Sequence, residues 1–592
     1  MRLKVKILFF VLGLCCLVPA AWAGTVTVTS GTTYQTISGF GASSQWDNTF
    51  SASLATTFWA DDSNKPPASQ VNGDVGLSIL RLGIDDSGNA NWGTQCAFAT
   101  QAMGINPNVK VFGSEWSPPA KWKNNNNVDG NNTGNDNGNP GTNTDQINTA
   151  DFSNYAAYQT SFVTACKNTY GFTLTALSVQ NEPDYDPSYD ACLWSPANFD
   201  TYIKSYLGPD LQAAGFGTSI IMMPESFADN LTLSATTMGD SAAASFVGFI
   251  GMHFYGGGPN TVPASYSTTA GHPVQSWETE ISEKTTDNNI DSGIYYANLL
   301  HSAIVDHNFN AFCYWWLVNV NTDDEGLCTS AGAATPRLYC LGNFSKFVRP
   351  GFVRIGATEV PSAGVSVSAY YSSSAGKVVI VAINGNTGST ENETFNYSDL
   401  NVTTVYPWIT DSANNLVQQT AQAVSGGSFT YTLPAESVVS FVAAVTTSSS
   451  NTSTPTSTNT PTRTATSTPT RTATSTPTNT IANTATSTAT KTASPTATST
   501  PSSTSTASPT NTASRTATNT ATLTTTTTPT KTASSTATNT LANTATQTAT
   551  ATPTATLANT ATNTATKTAS STTTNTATFT PTNTLANTAT QT

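Results

Sequence analysis

Two glutamates, Glu278 and Glu280, stand two residues apart in the segment QSWETEIS (275–282), and a third, Glu182, ends the run LTALSVQNE. Two carboxyl groups that face one cavity can cleave a glycosidic bond, because one protonates the leaving oxygen while the other attacks the anomeric carbon. Residues two apart in a strand point to the same side, so alternation alone does not choose between Glu278 and Glu280. We expect Glu182 to be the acid and then the base, and Glu280 to be the nucleophile. The alternative is that these glutamates only bind arginine side chains or helix N-termini.

Both candidates lie at the ends of apolar, β-prone runs, and eight such runs alternate with helix-prone segments. Continuous apolar runs are typical of parallel strands that are buried on both faces. Eight strand–helix units predict an α/β fold, a (β/α)8 barrel over residues 37–341, with reactive groups at the carboxyl ends of its strands. The runs are ISGFGA (37–42), LSILRLGI (77–84), VKVFGSE (109–115), LTALSVQNE (174–182), SIIMMPE (219–225), VGFIGMHFY (247–255), QSWETEI (275–281) and AFCYWWLV (311–318).

The predicted strand ends and their loops also carry side chains that could hold a sugar, since flat aromatic faces suit the C–H faces of sugar rings. The candidate substrate-binding residues are Trp46, Arg81, Trp116, Asn181, Tyr255 and Trp316. The sequence has no G-x-S-x-G, H-E-x-x-H, P-loop or G-x-G-x-x-G motif, which disfavours serine hydrolase, zinc protease and nucleotide chemistry. We expect no cofactor.

The pattern changes after residue 341. Short β-prone segments separated by Gly, Asn and Ser predict an antiparallel β-sandwich over residues 342–444. The early strand within residues 24–36 has no partner in the barrel, and we expect it to join that sandwich.

The two ends of the chain have distinct compositions. Residues 1–23 combine a basic start, an apolar run and the small-x-small pattern Ala21-Trp22-Ala23, which predicts a secretory signal peptide and a secreted, extracellular protein. Residues 445–592 are almost entirely Thr, Ser, Ala, Pro and Asn. Such a segment has too little apolar surface to offset the entropy of folding, so we expect a disordered tail.

Charge and loop composition restrict the partners. Residues 24–444 carry all 35 acidic residues but 13 of the 22 basic ones, a net charge of −22, which disfavours nucleic acid and anionic membranes and suits a polysaccharide. We expect a monomer.

The Asn/Gly-rich loop 124–145 lacks the EF-hand spacing, so we expect a rim of the substrate cleft there in preference to a calcium site.

Several segments, in order along residues 25–444, resemble glycoside hydrolase family 30, and most of all its bacterial glucuronoxylanase branch. They are TISGFGAS, GLSILRLGI, SEWSPPAKW, SVQNEPDYDPSYDACLW, HFYG, WETE, YWW and FSKFVRPGFVRIGATEVPSAGVSVSAYYSSSAGKVVIVAING. The resemblance implies a retaining glycosidase with a barrel and a fused β-sandwich. Its N-E-P and W-x-T-E motifs imply that Glu182 is the acid/base and Glu280 the nucleophile, and that Asn181 contacts the sugar 2-hydroxyl.

Glu278 occupies a position where the family usually has an apolar residue. We expect it to point the same way as Glu280 but one layer deeper. A buried carboxyl at that depth needs a partner such as Arg81 or is protonated.

The sequence departs from this branch after its two tryptophans. Glucuronoxylanases of the branch continue Y-I-R-R-S-Y-G, where the second Arg and the Tyr hold the uronate carboxylate of the substrate. Here the chain reads WWLVNVNTDDEG, with Val320 and Thr322 at those positions and three acids following, and Arg337 is the remaining nearby candidate. We therefore expect an endo-β-glycanase that cleaves β-1,4-xylan without requiring glucuronate. The alternatives are a β-1,6-glucanase or galactanase, a glucosylceramidase-like β-glucosidase, or an inactive glycan-binding protein.

Overall fold

The computed structural model describes residues 23–45, 50–88, 92–131, 134–135, 144–217, 219–283, 287–321, 323 and 325–446. The predicted signal peptide and tail lie outside the described residues, apart from Ala23 and residues 445–446. Trp46 and Thr322 also lie outside them, as does the middle of the loop 124–145.

The strands and helices alternate through the first three quarters of the described chain and give way to strands alone at its end. The strands are β1 (Gly24–Thr36), β2 (Gly39–Ser43), β3 (Ile79–Ile84), β4 (Lys110–Glu115), β5 (Gly134–Asn135), β6 (Ala176–Ser178), β7 (Tyr185–Asp186), β8 (Ile221–Ser226), β9 (Val247–His253), β10 (Gln275–Glu280), β11 (Ala311–Val318), β12 (Gly326–Cys328), β13 (Val353–Gly356), β14 (Val365–Ser372), β15 (Lys377–Asn384), β16 (Glu391–Tyr397), β17 (Thr404–Thr410), β18 (Val417–Gln418), β19 (Gln422–Ala423), β20 (Ser428–Leu433) and β21 (Ser437–Ala444). The helices are α1 (Ala52–Trp59), α2 (Trp92–Ile105), α3 (Phe152–Asn168), α4 (Pro196–Tyr202), α5 (Gly208–Ala213), α6 (Thr232–Gly239), α7 (Ser241–Ala244), α8 (Ser265–Ala270), α9 (Ile290–Val305) and α10 (Pro336–Ser345).

Local sequence explains where several helices begin. The Asn289 side chain accepts the amide hydrogen of Ser292 at the start of α9, and Ser195 does the same for Asn198 ahead of α4, whose first residue is Pro196. Asn and Ser satisfy amides that have no partner in the first turn, and Pro fits the first helical position. Within the part of the chain that the structure describes, no helix has both the length and the apolar character that a membrane span requires.

Eight parallel strands form a closed barrel. Their order is β2, β3, β4, β6, β8, β9, β10 and β11, and β11 pairs back onto β2. Each of these strands overlaps one of the eight predicted runs, so the (β/α)8 prediction is confirmed.

The barrel wall separates two apolar clusters. One fills the lumen and includes Phe112, Phe249 and Trp277. The other lies between the strands and the surrounding helices and includes Met252 and Phe312. A strand residue next to a member of the lumen cluster therefore faces the helices, as Phe312 does between Ala311 and Cys313.

Ten further strands form a second sheet, in the order β18, β17, β21, β15, β14, β13, β1, β16 and β20, with β19 beside β17. Of the other described strands, β12 pairs with β11 of the barrel, and β5 pairs with β7. Phe441 on β21 contacts Phe395 on β16 at a ring distance of 4.7 Å although these strands are not neighbours. The sheet therefore curls over its own core. It is mostly antiparallel, but β1 pairs parallel with β16 while pairing antiparallel with β13.

The loop after β4 is held by a buried lysine. The Lys123 ammonium donates to the backbone oxygens of Val128 (2.7 Å), Asp129 (3.3 Å) and Ala191, and forms an ion pair with Asp145 (2.7 Å). Both charged side chains are fully buried. The Lys123 ammonium thus bonds to several oxygens that converge on one buried point. These contacts link the loop after β4 to the segment after β6.

Candidate active site

A cavity of about 580 Å³ opens at the carboxyl ends of the barrel strands. Its position follows from the fold, since the loops at that end are the ones that can vary without disturbing the barrel. The residues lining it are Trp116, Glu182, Tyr185, Tyr189, Asp190, Phe227, Tyr255, Glu280, Ser282, Glu283, Trp315, Trp316, Val320, Asn321 and Glu325.

Glu182 and Glu280 come together in this cavity from opposite parts of the ring. One carboxylate oxygen of each, together with a ring nitrogen of His253, lie within 4.8 Å of one another. Retaining glycosidases hold their two carboxyl groups about 5–5.5 Å apart, whereas inverting enzymes need roughly 6.5–9.5 Å to admit a water. These two oxygens are closer than the separation that an inverting enzyme needs, which favours the retaining arrangement.

Glu280 is held from two sides. The Tyr255 hydroxyl donates to its Oε1 over 3.0 Å, and the Arg81 guanidinium forms an ion pair with its Oε2. Arg81 is fully buried and also donates to Asn181 Oδ1 (2.5 Å) and Ser114 Oγ (3.1 Å). A buried carboxylate is tolerated when it is paired and hydrogen-bonded in this way.

Glu182 is a carboxyl group that titrates near neutrality. Burial raises its pKa to about 7, while a hydrogen bond from His253 Nδ1 (3.0 Å) opposes the rise and the nearby charge of Glu280 adds to it. Its backbone has a φ of +47°, in the left-handed region that few non-glycine residues adopt. Such strain occurs most often at functional sites.

A third glutamate, Glu225 near the end of β8, forms ion pairs with the same buried cations. Arg81 (2.8 Å) and His253 (3.7 Å) outweigh the effect of burial and lower the pKa of Glu225 to about 2. Burial lowers the pKa of His253, but Glu280, Glu182 and Glu225 more than reverse this and raise it to about 10. His253 is therefore a cation at neutral pH. We did not predict a site role for either residue, although both stand at strand ends.

Glu278 does not lie where we predicted. It pairs across the sheet with Met252 and Phe312, which belong to the helix-facing cluster, whereas Glu280 pairs with His253. The register shift between Glu278 and Glu280 is a β-bulge, and an extra residue reverses the alternation of side chains. The prediction that both glutamates face the same way is therefore wrong, and so is the suggested pairing with Arg81. Burial raises the pKa of Glu278 well above its usual range, which fits the protonated alternative.

Aromatic rings form two walls of the cavity. On one wall, Trp315 lies 5.7 Å from Trp116 and 5.1 Å from Trp316, measured between ring centroids. On the other, Phe227 stacks on Tyr185 (4.3 Å) and lies 5.4 Å from Tyr255. The predicted residues Trp116, Tyr255 and Trp316 thus line one cavity. Tyr185 and Phe227 were not predicted, and Trp46 lies outside the described residues.

Arg337 does not line the cavity. Its guanidinium is buried and donates to four oxygens of the protein, those of Asp287 (backbone), Asn288, Ser292 and Gly326 (backbone), at 2.6–3.2 Å. Val320, in contrast, is exposed and does line it. Thr322, the other position of the missing uronate motif, is not among the described residues.

Comparison with known proteins places this geometry in a family. A model of the glycosyl hydrolase family 30 TIM-barrel domain matches residues 88–331. Glucuronoxylanase XynC of Bacillus subtilis (strain 168) is 33% identical over 427 residues, which cover 71% of this chain and 92% of that protein. The X-ray structure of the family 30 subfamily 8 xylanase Xyn30A from Clostridium acetobutylicum is 32% identical and covers 71% of this chain and 99% of its own, with a TM-score of 0.61.

A relative with a different activity matches a shorter region. Endo-1,6-β-D-glucanase BGN16.3 of Trichoderma harzianum is 35% identical over 151 residues, which cover 25% of this chain and 29% of that protein. The relatives of this chain therefore carry names for more than one activity. The barrel, the paired carboxyl groups and the extent of the similarity to family members agree, and the chain belongs to glycosyl hydrolase family 30 and is a glycosidase.

Proposed function

We propose that the protein is a secreted, retaining endo-β-glycanase that cleaves the β-1,4-xylan backbone, with Glu182 as acid/base and Glu280 as nucleophile. The observation that carries this proposal is the approach of the two carboxyl groups to within 4.8 Å across an aromatic-walled cavity. Similarity to proteins named as xylanases over nearly their whole length supports the substrate. Secretion rests on the composition of residues 1–23.

In the first step, Glu280 attacks the anomeric carbon and the bond from that carbon to the leaving oxygen breaks. Glu182 gives its proton to the leaving oxygen, for which a pKa of about 7 is well suited. Arg81 and Tyr255 hold the two oxygens of Glu280 before attack. Asn181 accepts a hydrogen bond from Arg81 at its Oδ1, which fixes the orientation of its amide group.

In the second step, the ionised Glu182 takes a proton from water as the water oxygen attacks the anomeric carbon and Glu280 leaves. The positive charge of His253 beside Glu182 stabilises the carboxylate that exists between the two steps. Two displacements at one carbon return the original configuration, so the product keeps the β configuration.

We further propose that cleavage does not depend on glucuronate side chains. Of the described residues that line the cavity, five are acidic and none is basic. An arginine that clamps a carboxylate contributes a charge-assisted, often bidentate contact, whereas acidic neighbours repel a uronate. Arg337 is engaged with oxygens of the protein instead.

The test compares initial rates on glucuronoxylan before and after enzymatic removal of the uronate. We expect the rate to be at least maintained on the stripped polymer, and a collapse would contradict the proposal. Val320→Arg is the converse variant, since it introduces a guanidinium at the cavity wall and should shift preference towards the uronate-bearing polymer. Glu280→Gln, which should release no reducing sugar, is the inactive control.

The same assay separates the other candidate functions. Faster cleavage of β-1,6-glucan than of xylan would favour the linkage named for the Trichoderma relative. Binding of xylan with no release of reducing sugar from any polymer would point to a glycan-binding protein.

A further inference from the structure

The bulge in β10 changes how the backbone immediately before Glu280 pairs with the neighbouring strands. Across from β9, Glu278 pairs with Met252 and Glu280 with His253, so Thr279 is the extra residue. Across from β11, the pairing of β10 ends at Glu278. A bulge disrupts the ladder locally, and a buried amide that loses its ladder partner needs another acceptor.

The Glu278 side chain is that acceptor. The backbone N–H of Glu280 donates to its Oε1 over 2.8 Å. Glu278 is fully buried on the helix-facing side of the barrel wall and is absent from the cavity lining. It therefore does not line the substrate cavity, and its hydrogen bond with the backbone of Glu280 is its contact with the proposed nucleophile.

The protonation state of Glu278 suits this contact. Its Oε2 has no hydrogen-bond partner among the described residues, and burial raises its pKa well above the usual range. Burial thus favours the neutral form of this carboxyl. In that form Glu278 holds the amide without placing a second negative charge behind Glu280.

We propose that Glu278 is a positioning residue that fixes the backbone of Glu280 by accepting its amide hydrogen, an inference that rests on the nucleophile role proposed above. The contacts of Glu280 with Tyr255 and Arg81 depend on where that backbone lies. A misplacement of about 1 Å at a reacting group can cost on the order of a hundredfold in rate.

The experiment measures covalent labelling of the full-length protein by 2,4-dinitrophenyl 2-deoxy-2-fluoro-β-xylobioside. Glu280 forms a bond to the anomeric carbon, and dinitrophenolate leaves with the bonding electrons. This leaving group needs no proton from Glu182, so the rate of dinitrophenolate release reports on the nucleophile alone, and intact-mass and peptide analysis identify the labelled residue.

Two substitutions of Glu278 distinguish the loss of its hydrogen bond to the Glu280 amide from the loss of its ionisable group. Glu278→Gln keeps an acceptor oxygen at Oε1 and should label at the parent rate. Glu278→Met fills similar space without an acceptor and should label roughly tenfold more slowly, with kcat on xylan reduced and KM unchanged. Glu393→Met replaces a buried glutamate of the other sheet, so it should affect stability and leave the labelling rate unchanged.

Labelling of Glu278→Met at the parent rate would overturn the inference, as would equal slowing in Glu278→Gln. If the Met variant does not fold, Glu278→Leu serves in its place, because its side chain also lacks an acceptor for the Glu280 amide, and slow labelling is again expected. Labelling of the parent protein at a residue other than Glu280 would show that the proposed nucleophile is wrong, and this inference would fall with it.

Discussion

Among individual residues, Glu182 should set the alkaline side of the pH profile. The group must be protonated to act as an acid, and burial raises its pKa to about 7. Because the active form exists below that pKa, kcat/KM should fall roughly tenfold per pH unit above about pH 7. Initial rates on soluble xylan between about pH 5 and 9 would show this, and a flat profile across pH 7 would contradict the assignment.

His253→Gln provides the matched control for that profile. His253 is a cation that favours the ionised form of Glu182, so its charge opposes the rise in pKa. Removal of the charge should raise the pKa of Glu182 further and move the alkaline limb to higher pH, in addition to lowering kcat. A shift to lower pH would show that another group causes the limb.

Among the structural elements, the loop after β4 should depend on Lys123. The ammonium satisfies three backbone oxygens and Asp145 in a fully buried place. Removing one partner of a buried ion pair leaves an uncompensated charge and typically costs about 3–5 kcal/mol. Lys123→Met should therefore lower the free energy of unfolding by this order, measured by chemical denaturation.

The same variant should weaken substrate binding. Lys123 bonds to the backbone oxygen of Ala191, in the segment that carries Tyr189 and Asp190 into the cavity wall. Lys121→Met is the matched control, since this exposed lysine lies over the ring of Trp122 and should contribute less than about 1 kcal/mol. Equal effects of the two substitutions would contradict the role of the buried ammonium.

At the scale of the whole molecule, the folded part should be complete by Thr446. The last strand, β21, pairs with both β15 and β17, and the next two amides donate to the backbone oxygens of Gly376 (2.8 Å) and Asn401 (2.9 Å). The rest of the chain is poor in apolar residues. A protein that ends at Thr446 should melt at the same temperature as the full chain and hydrolyse soluble xylan at the same rate. A lower melting temperature would show that the later residues contribute to the fold.

The site was predictable to the extent that it depends on strand ends. Parallel strands of a barrel end at one face, so Asn181 and Glu182 on one run and Glu280 on another had to meet there, and Arg81, Trp116, Tyr255 and Trp316 accompany them. Glu225 follows the same rule, because the run SIIMMPE ends in an acid, and this signal was available. Phe227 directly follows β8, as Trp116 follows β4, so the same signal was available for it. Tyr185 had no such signal, since it lies in β7, beyond the barrel strands, where packing decides the path of the chain.

The sequence by itself determined the period of apolar runs, and hence the barrel and the pair of glutamates at its mouth. The tertiary structure alone decided which way Glu278 faces, because a single extra residue at Thr279 reverses the alternation and only the pairing with β9 reveals it. It also decided the charge states, since the pKa values of Glu182, Glu225 and His253 depend on burial and on mutual distances that sequence spacing does not contain. Alternation is a property of one strand, whereas register and electrostatics belong to groups brought together by folding.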